Sequence, residues 1–266
     1  MTEANQVLLT RREGAVLVLS NYNVAARNAL SPEFYAAVTA ALRSTAADPT
    51  VGAVVLTGEG GHFCAGGDLR QLAKRRELPV QERRAKLEGL HDLIRSVRDF
   101  PKPVIAAVEG AAAGAGLSLA LACDMLVAAK NAVFSVAYVK VGLTPDGGAT
   151  AFLAEFVSRQ VLTELCLTGE RISGERLHAL GPVNRLSEPG QAQADAVALA
   201  AQVATGPDQA MALIKDLCRQ APRNTLEQQL ELEAQHMVRS QGSEESREGI
   251  AAFLEKRSAD FSKLRA

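Results

Sequence analysis

Three runs of small residues follow apolar stretches, and they hold the residue types best suited to chemistry. The first is Cys64-Ala65-Gly66-Gly67-Asp68, behind the apolar run Val51–Thr57. Small side chains leave the backbone open, and a turn of this kind can aim peptide N–H groups at an anionic oxygen. A plain tight turn is the other reading. The second run, Gly110 to Gly116 (GAAAGAG), lies between an apolar strand pattern and an apolar helix pattern. The first N–H groups of such a helix lack intrahelical acceptors and sit at the positive end of its dipole. Two turns supplying one donor each make an oxyanion hole. The third run is Pro145-Asp146-Gly147-Gly148. Asp146 there can move a proton, or it can cap a helix over residues 147–157.

Other chemistries find little support. His62, His91, His178 and His236 form neither HxxxH nor HExxH, and no serine sits in GxSxG. Cys64, Cys123, Cys166 and Cys218 are far apart, with no CxxC pair, and read as small core hydrophobes. The second glycine run departs from GxGxxG, and no acidic residue ends a neighbouring strand, so a dinucleotide site is set aside. No metal site is expected.

The chain has 266 residues, 47% hydrophobic and 22% charged, with a net charge of −1. This is a globular composition without the broad basic field that nucleic acid requires. The longest apolar stretch, residues 104–122, carries Glu109 and is mostly Ala and Gly. It reads as strand, turn and buried helix rather than a membrane span. The opening MTEANQ lacks the pattern of a secretory signal. A cytoplasmic enzyme with no membrane partner is the expectation.

The elements that must position these turns follow from periodicity. Val7–Thr10 and Ala15–Leu19 read as neighbouring strands. Ser31-Pro32 opens a helix whose face is Phe34, Val38, Ala41, Leu42 and Thr45. Strands are expected at residues 51–57, 104–108 and 125–128, and helices across residues 87–97 and 117–123. This alternation predicts a largely parallel sheet in an α/β core. Beyond about residue 163 the pattern is almost wholly helical, with caps at Ser173, Thr225 and Ser243. The expected division is an α/β core over residues 1–200 and a helical region over 201–266.

Taken together, these motifs resemble the enoyl-CoA hydratase/isomerase (crotonase) family over almost the whole chain. Arg27-Asn28-Ala29-Leu30 is similar to the family's NAL element, and Phe63 to Leu69 (FCAGGDL) to its F-C-A-G-x-D-L motif. Val108 to Asp124, Ala179 to Asn184 and Phe253 to Arg257 resemble its second glycine turn with central helix, its G-L-V-N element and its tail. The resemblance implies stacked ββα units with a C-terminal helical trimerisation region, assembled as a homotrimer or a dimer of trimers. It implies an acyl-CoA thioester substrate and no separate cofactor. The thioester oxygen is expected between the N–H groups of Ala65 and Ala115. Gly114, Ser118, Tyr138 and Leu69 are expected to line the pocket. CoA is expected to meet Ala65, Gly67, Asp68 and Leu69, with Arg27 and Lys256 on its phosphates, Lys256 reaching a neighbouring subunit.

The departures from the family bear on the reaction. Its hydratases resemble one another in carrying two glutamates, at the positions of Ser118 and Tyr138 here. Neither hydroxyl is a strong base near neutral pH. The run FSVAYVKVGLTPDGG is similar to the segment in which the family's ring-epoxide and enoyl-CoA isomerases carry an acid/base aspartate. Asp146 is therefore expected to be the acid/base of an isomerase, in preference to a hydratase. A hydratase would need another acid, such as Glu155 or one from residues 77–88. A dehalogenase of the superfamily places a nucleophilic aspartate at the Asp146 position. A non-catalytic acyl-CoA scaffold is the remaining alternative.

Overall fold

A computed structural model describes residues 6–265; the first five residues of the opening segment lie outside it. Strands β1 (Leu8–Glu13) and β2 (Val16–Asn21) form an antiparallel pair. Helix α1 (Pro32–Thr45) starts where Ser31 Oγ accepts the Phe34 N–H, with proline as its first residue. Next come β3 (Ala53–Gly58), α2 (Leu69–Arg75) and α3 (Val80–Arg98). Then follow β4 (Val104–Val108), β5 (Ala111–Ala113), α4 (Ala115–Leu121), β6 (Met125–Ala129) and β7 (Val133–Ser135). Helices α5 (Ala149–Ala154) and α6 (Arg159–Thr168) lead to β8 (Ile172–Ser173), α7 (Gly174–Ala179) and β9 (Arg185–Ser187). Helices α8 (Ala192–Val203), α9 (Asp208–Gln220), α10 (Leu226–Gln241) and α11 (Glu244–Leu254) follow, and a short 3-10 turn over Phe261–Leu264 comes after them.

The larger sheet has the order β1-β2-β3-β4-β6-β9, parallel after the first pair. Its central strands are continuous apolar runs because both faces are covered. From β2, Leu17 and Leu19 enter one core with Phe34, Val38, Leu93 and Leu119, while Val16 and Val18 enter a second. That second core is closed by Ala196, Leu199, Ala200 and Ala204, from α8 and the residue that ends it. Residue 200 thus falls inside a helix packed on the sheet, and the helices that leave the core begin at α9.

A second, three-stranded sheet has the order β5-β7-β8. Strand β5 lies in the stretch expected to be only a turn. The chain passes from β4 to β5 through Glu109 and Gly110. Gly110 has φ 53, and a Cβ there would lie 2.2 Å from the Gly61 carbonyl oxygen. Only glycine makes that corner without strain. Residues β4-β5-α4 thereby form a ββα unit, and β6-β7 begin another. Among the described residues no helix is long and apolar enough to cross a membrane.

Candidate active site

The first two glycine turns are zipped side by side. Cys64 N–H donates to Ala111 O at 2.9 Å, and Ala113 N–H donates to Cys64 O at 3.0 Å. Gly116 packs so closely on this pair that a Cβ would fall 2.4 Å from Cys64 O. Behind the first turn, Asn28 is fully buried in the left-handed region at φ 59. Its Nδ2 donates to Glu59 O at 2.8 Å and to His62 O at 2.6 Å. His62 is a support as well, since its Nδ1 accepts the Ala111 N–H at 3.2 Å. Burial pushes the Cys64 thiol up to about 12, so it stays neutral, and its Sγ accepts the Gly66 N–H at 3.4 Å.

The expected pairing of Ala65 with Ala115 as donors is corrected. The Ala65 N–H already donates to Arg27 O at 3.0 Å, and a group held that way cannot also receive a thioester oxygen without losing its bond. Gly66, at φ 101, then reorients the chain. The next N–H, that of Gly67, has no protein acceptor among the described residues. Ala115 is the first residue of α4, and its N–H is equally unspent. The two turns meet here: a Cβ on Gly66 would lie 3.8 Å from Ala115 N. Gly67 and Ala115 are therefore the donors this geometry offers. The signal for Gly67 was in the sequence, since two adjacent glycines leave either N–H a candidate.

Asp146 is not a helix cap. Helix α5 begins at Ala149, with Gly148 at its cap position and no side chain capping it. The carboxylate turns instead to Tyr138, whose hydroxyl donates to Oδ1 at 2.7 Å. Ser118, fully buried on α4, donates from Oγ to Asp146 O at 2.9 Å and lies 3.3 Å from the Tyr138 hydroxyl. The Tyr138 ring lies over Gly114, where a Cβ would meet it at 3.8 Å. Gly114, Ser118, Tyr138 and Asp146 thus form one cluster, beginning one residue before Ala115.

The other expected site residues lie apart from it. Asp68 caps α2, its Oδ1 accepting the Arg70 N–H at 2.8 Å. Leu69 is the exposed first residue of that helix. Arg27 contributes its carbonyl to the first turn while its residue remains exposed. Lys256 follows α11 at φ 55. Three of the carboxylates named as a second acid are paired with arginines instead. Glu155 faces Arg98 at 3.8 Å, Glu77 faces Arg76, and Glu88 faces Arg84 and Arg95.

Comparison with known proteins places this arrangement. The enoyl-CoA hydratase/isomerase family profile matches residues 11–264. The chain is 35% identical to the 1,2-epoxyphenylacetyl-CoA isomerase of Escherichia coli, over 96% of this chain and 98% of that one. It is 37% identical to a Thermus thermophilus protein described as an enoyl-CoA hydratase, covering 94% and 98%. The crystal structure of an enoyl-CoA hydratase from Polaromonas superposes with a TM-score of 0.93 at 49% identity, covering 95% of this chain and 98% of that one. The same hydratase description recurs among the other solved structures it resembles. The preference for an isomerase over a hydratase is corrected on these names. The physical reason is that a missing second carboxylate does not exclude water addition, since one group can take a proton and then return it. With a profile matched over nearly its full length and relatives covered end to end, the chain belongs to the enoyl-CoA hydratase/isomerase family.

Proposed function

We propose that the protein adds water across the α,β double bond of a 2-enoyl-CoA thioester. The thioester oxygen accepts the N–H groups of Gly67 and Ala115. As the water oxygen bonds to the β-carbon, Asp146 takes the water's proton, and the double-bond electrons move to the α-carbon and the thioester oxygen. The two N–H groups stabilise that enolate, which lowers the barrier because its charge develops only then. Asp146 then returns a proton to the α-carbon, so the sum is one water added. The observation that carries this reading is the Asp146 carboxylate, unspent as a cap and set beside the turn that ends in Ala115. The hydratase descriptions of the Thermus and Polaromonas proteins support it.

CoA itself would lie along the exposed start of α2, near Gly67, Asp68 and Leu69, with Arg27 and a neighbouring subunit's Lys256 on its phosphates. A trimer fits the apolar surface of the last helices. The test is the loss of the conjugated thioester absorbance of crotonyl-CoA, with purified protein and with Asp146→Asn. Hydration that falls roughly 10²–10⁴-fold in the variant is expected. Hydration that is absent from the unaltered protein, while a 3-enoyl-CoA is converted, overturns the proposal.

A further inference from the structure

We propose that Tyr138 is a positioning residue for Asp146: its hydroxyl fixes Oδ1, leaving Oδ2 as the one oxygen that takes the water's proton and returns a proton to the substrate. This rests on the hydratase reading above and deepens it.

A carboxylate has two equivalent oxygens that exchange by rotation about one bond. The 2.7 Å bond from the Tyr138 hydroxyl to Oδ1 removes that equivalence. It is a hydrogen bond to an ionised acceptor, the stronger kind. Oδ2 receives no protein donor among the described residues. The phenol has a single proton and three acceptors in reach, Oδ1 at 2.7 Å and both Asp146 O and Ser118 Oγ at 3.3 Å. The shortest contact takes the proton, while Ser118 Oγ serves Asp146 O at 2.9 Å. Each hydroxyl thus has its own acceptor on the same aspartate, one on the side chain and one on the backbone.

Tyr138 remains a donor throughout the working pH range. Burial, and then the negative charge of Asp146, push its hydroxyl well above the ordinary tyrosine value. Its ring rests on Gly114, the residue before the Ala115 donor. The phenol therefore sets the distance between the enolate oxygen site and the proton-carrying oxygen. A single oxygen acting at both carbons confines both new bonds to one face of the substrate, which gives syn addition.

The experiment measures kcat and KM for crotonyl-CoA with the full-length chain, Tyr138→Phe, Asp146→Asn and the double variant. The Kd of unreactive butyryl-CoA is measured for each. Phenylalanine keeps the ring on Gly114 and removes only the hydroxyl. Tyr138→Phe is expected to lower kcat roughly 10- to 100-fold. Its KM and butyryl-CoA Kd should stay near those of the unaltered protein, which a merely disrupted pocket would not allow. In the Asp146→Asn background the Phe substitution should cost nothing further, because no base is left to position. An unchanged kcat in Tyr138→Phe, or a full additional loss in the double variant, overturns the proposal. Asp146→Asn retaining full hydration instead overturns the underlying role of Asp146, so the two failures are told apart.

Discussion

Ser118 and Asp146, 28 residues apart, are joined by a 2.9 Å hydrogen bond from the serine hydroxyl to the aspartate carbonyl. The bond fastens the turn that carries the carboxylate to α4, the helix that starts with Ala115. Removing it leaves the Asp146 carbonyl only the longer 3.3 Å contacts from the Ala149 N–H and the Tyr138 hydroxyl. Ser118→Ala should therefore cost about 0.5–1.5 kcal/mol of stability, read by denaturant titration. Under the proposed mechanism it should also lower kcat, since Asp146 loses its tether while the proposed donors, the Gly67 and Ala115 N–H groups, remain. Stability and kcat both unchanged would show that the tether is idle.

Adjacent glycines should respond very differently to alanine. Gly66 has φ 101, and its Cβ would fall 2.8 Å from Ala113 O, a backbone atom. Gly67 has ordinary backbone geometry, and its Cβ would meet only the end of Leu72, at 3.3 Å. Gly66→Ala should distort the Gly67 donor and lower kcat/KM toward the roughly 10²–10³-fold typical of a lost oxyanion donor. Gly67→Ala keeps its N–H and should stay near the unaltered protein. Steady-state kinetics on crotonyl-CoA decide between this order and its reverse.

The C-terminal end carries an acid-sensitive tie. Glu248 accepts Arg257 Nη1 at 2.6 Å, Arg257 Nη2 at 2.9 Å and the Asp260 N–H at 2.9 Å. The Arg257 guanidinium, chiefly, holds its carboxyl at about 2, below the ordinary 4.5. The folded value is depressed, so the tie contributes fully above the unfolded value and is lost as pH falls through about 2. Protection of the Asp260 amide, the slowing of its exchange relative to that of an unstructured peptide at the same pH, should be high at pH 6 and should fall as pH drops from about 4 to 2. In Glu248→Gln the protection should be low throughout, with no step in that window.

The last three helices expose more apolar surface than a lone chain would leave in water. Ile214, Leu230, Met237, Val238, Ile250 and Phe253 are all exposed, and neither α9 nor α10 buries a residue within its own chain. Light scattering should give a trimer or a hexamer, and Phe253→Asp should shift the mass downward by placing a charge in an apolar contact. A monomer at micromolar concentration in the unaltered protein would refute this.

Local chemistry already specified much of the molecule in the residues themselves. Ser31-Pro32, Ser173, Thr225 and Ser243 begin helices where their capping geometry requires, because a cap is satisfied by atoms within three residues. The apolar runs of β2, β3 and β4 became central strands, since only a doubly covered sheet accepts side chains that are apolar on both faces. The three small-residue turns were equally legible. What the tertiary structure decided was which groups those turns leave free. Whether Ala65 or Gly67 offers an N–H depends on Arg27, 38 residues away from the first of them, whose carbonyl consumes one donor. Whether the Asp146 carboxylate caps a helix or stays available for chemistry depends on Tyr138 and Ser118 reaching that residue from two other segments. Strand β5 was hidden because three alanines have no strand pattern of their own and pair only when β7 lies beside them. Hydrogen-bond partners distant in sequence are fixed by packing, and packing is a property of the folded whole.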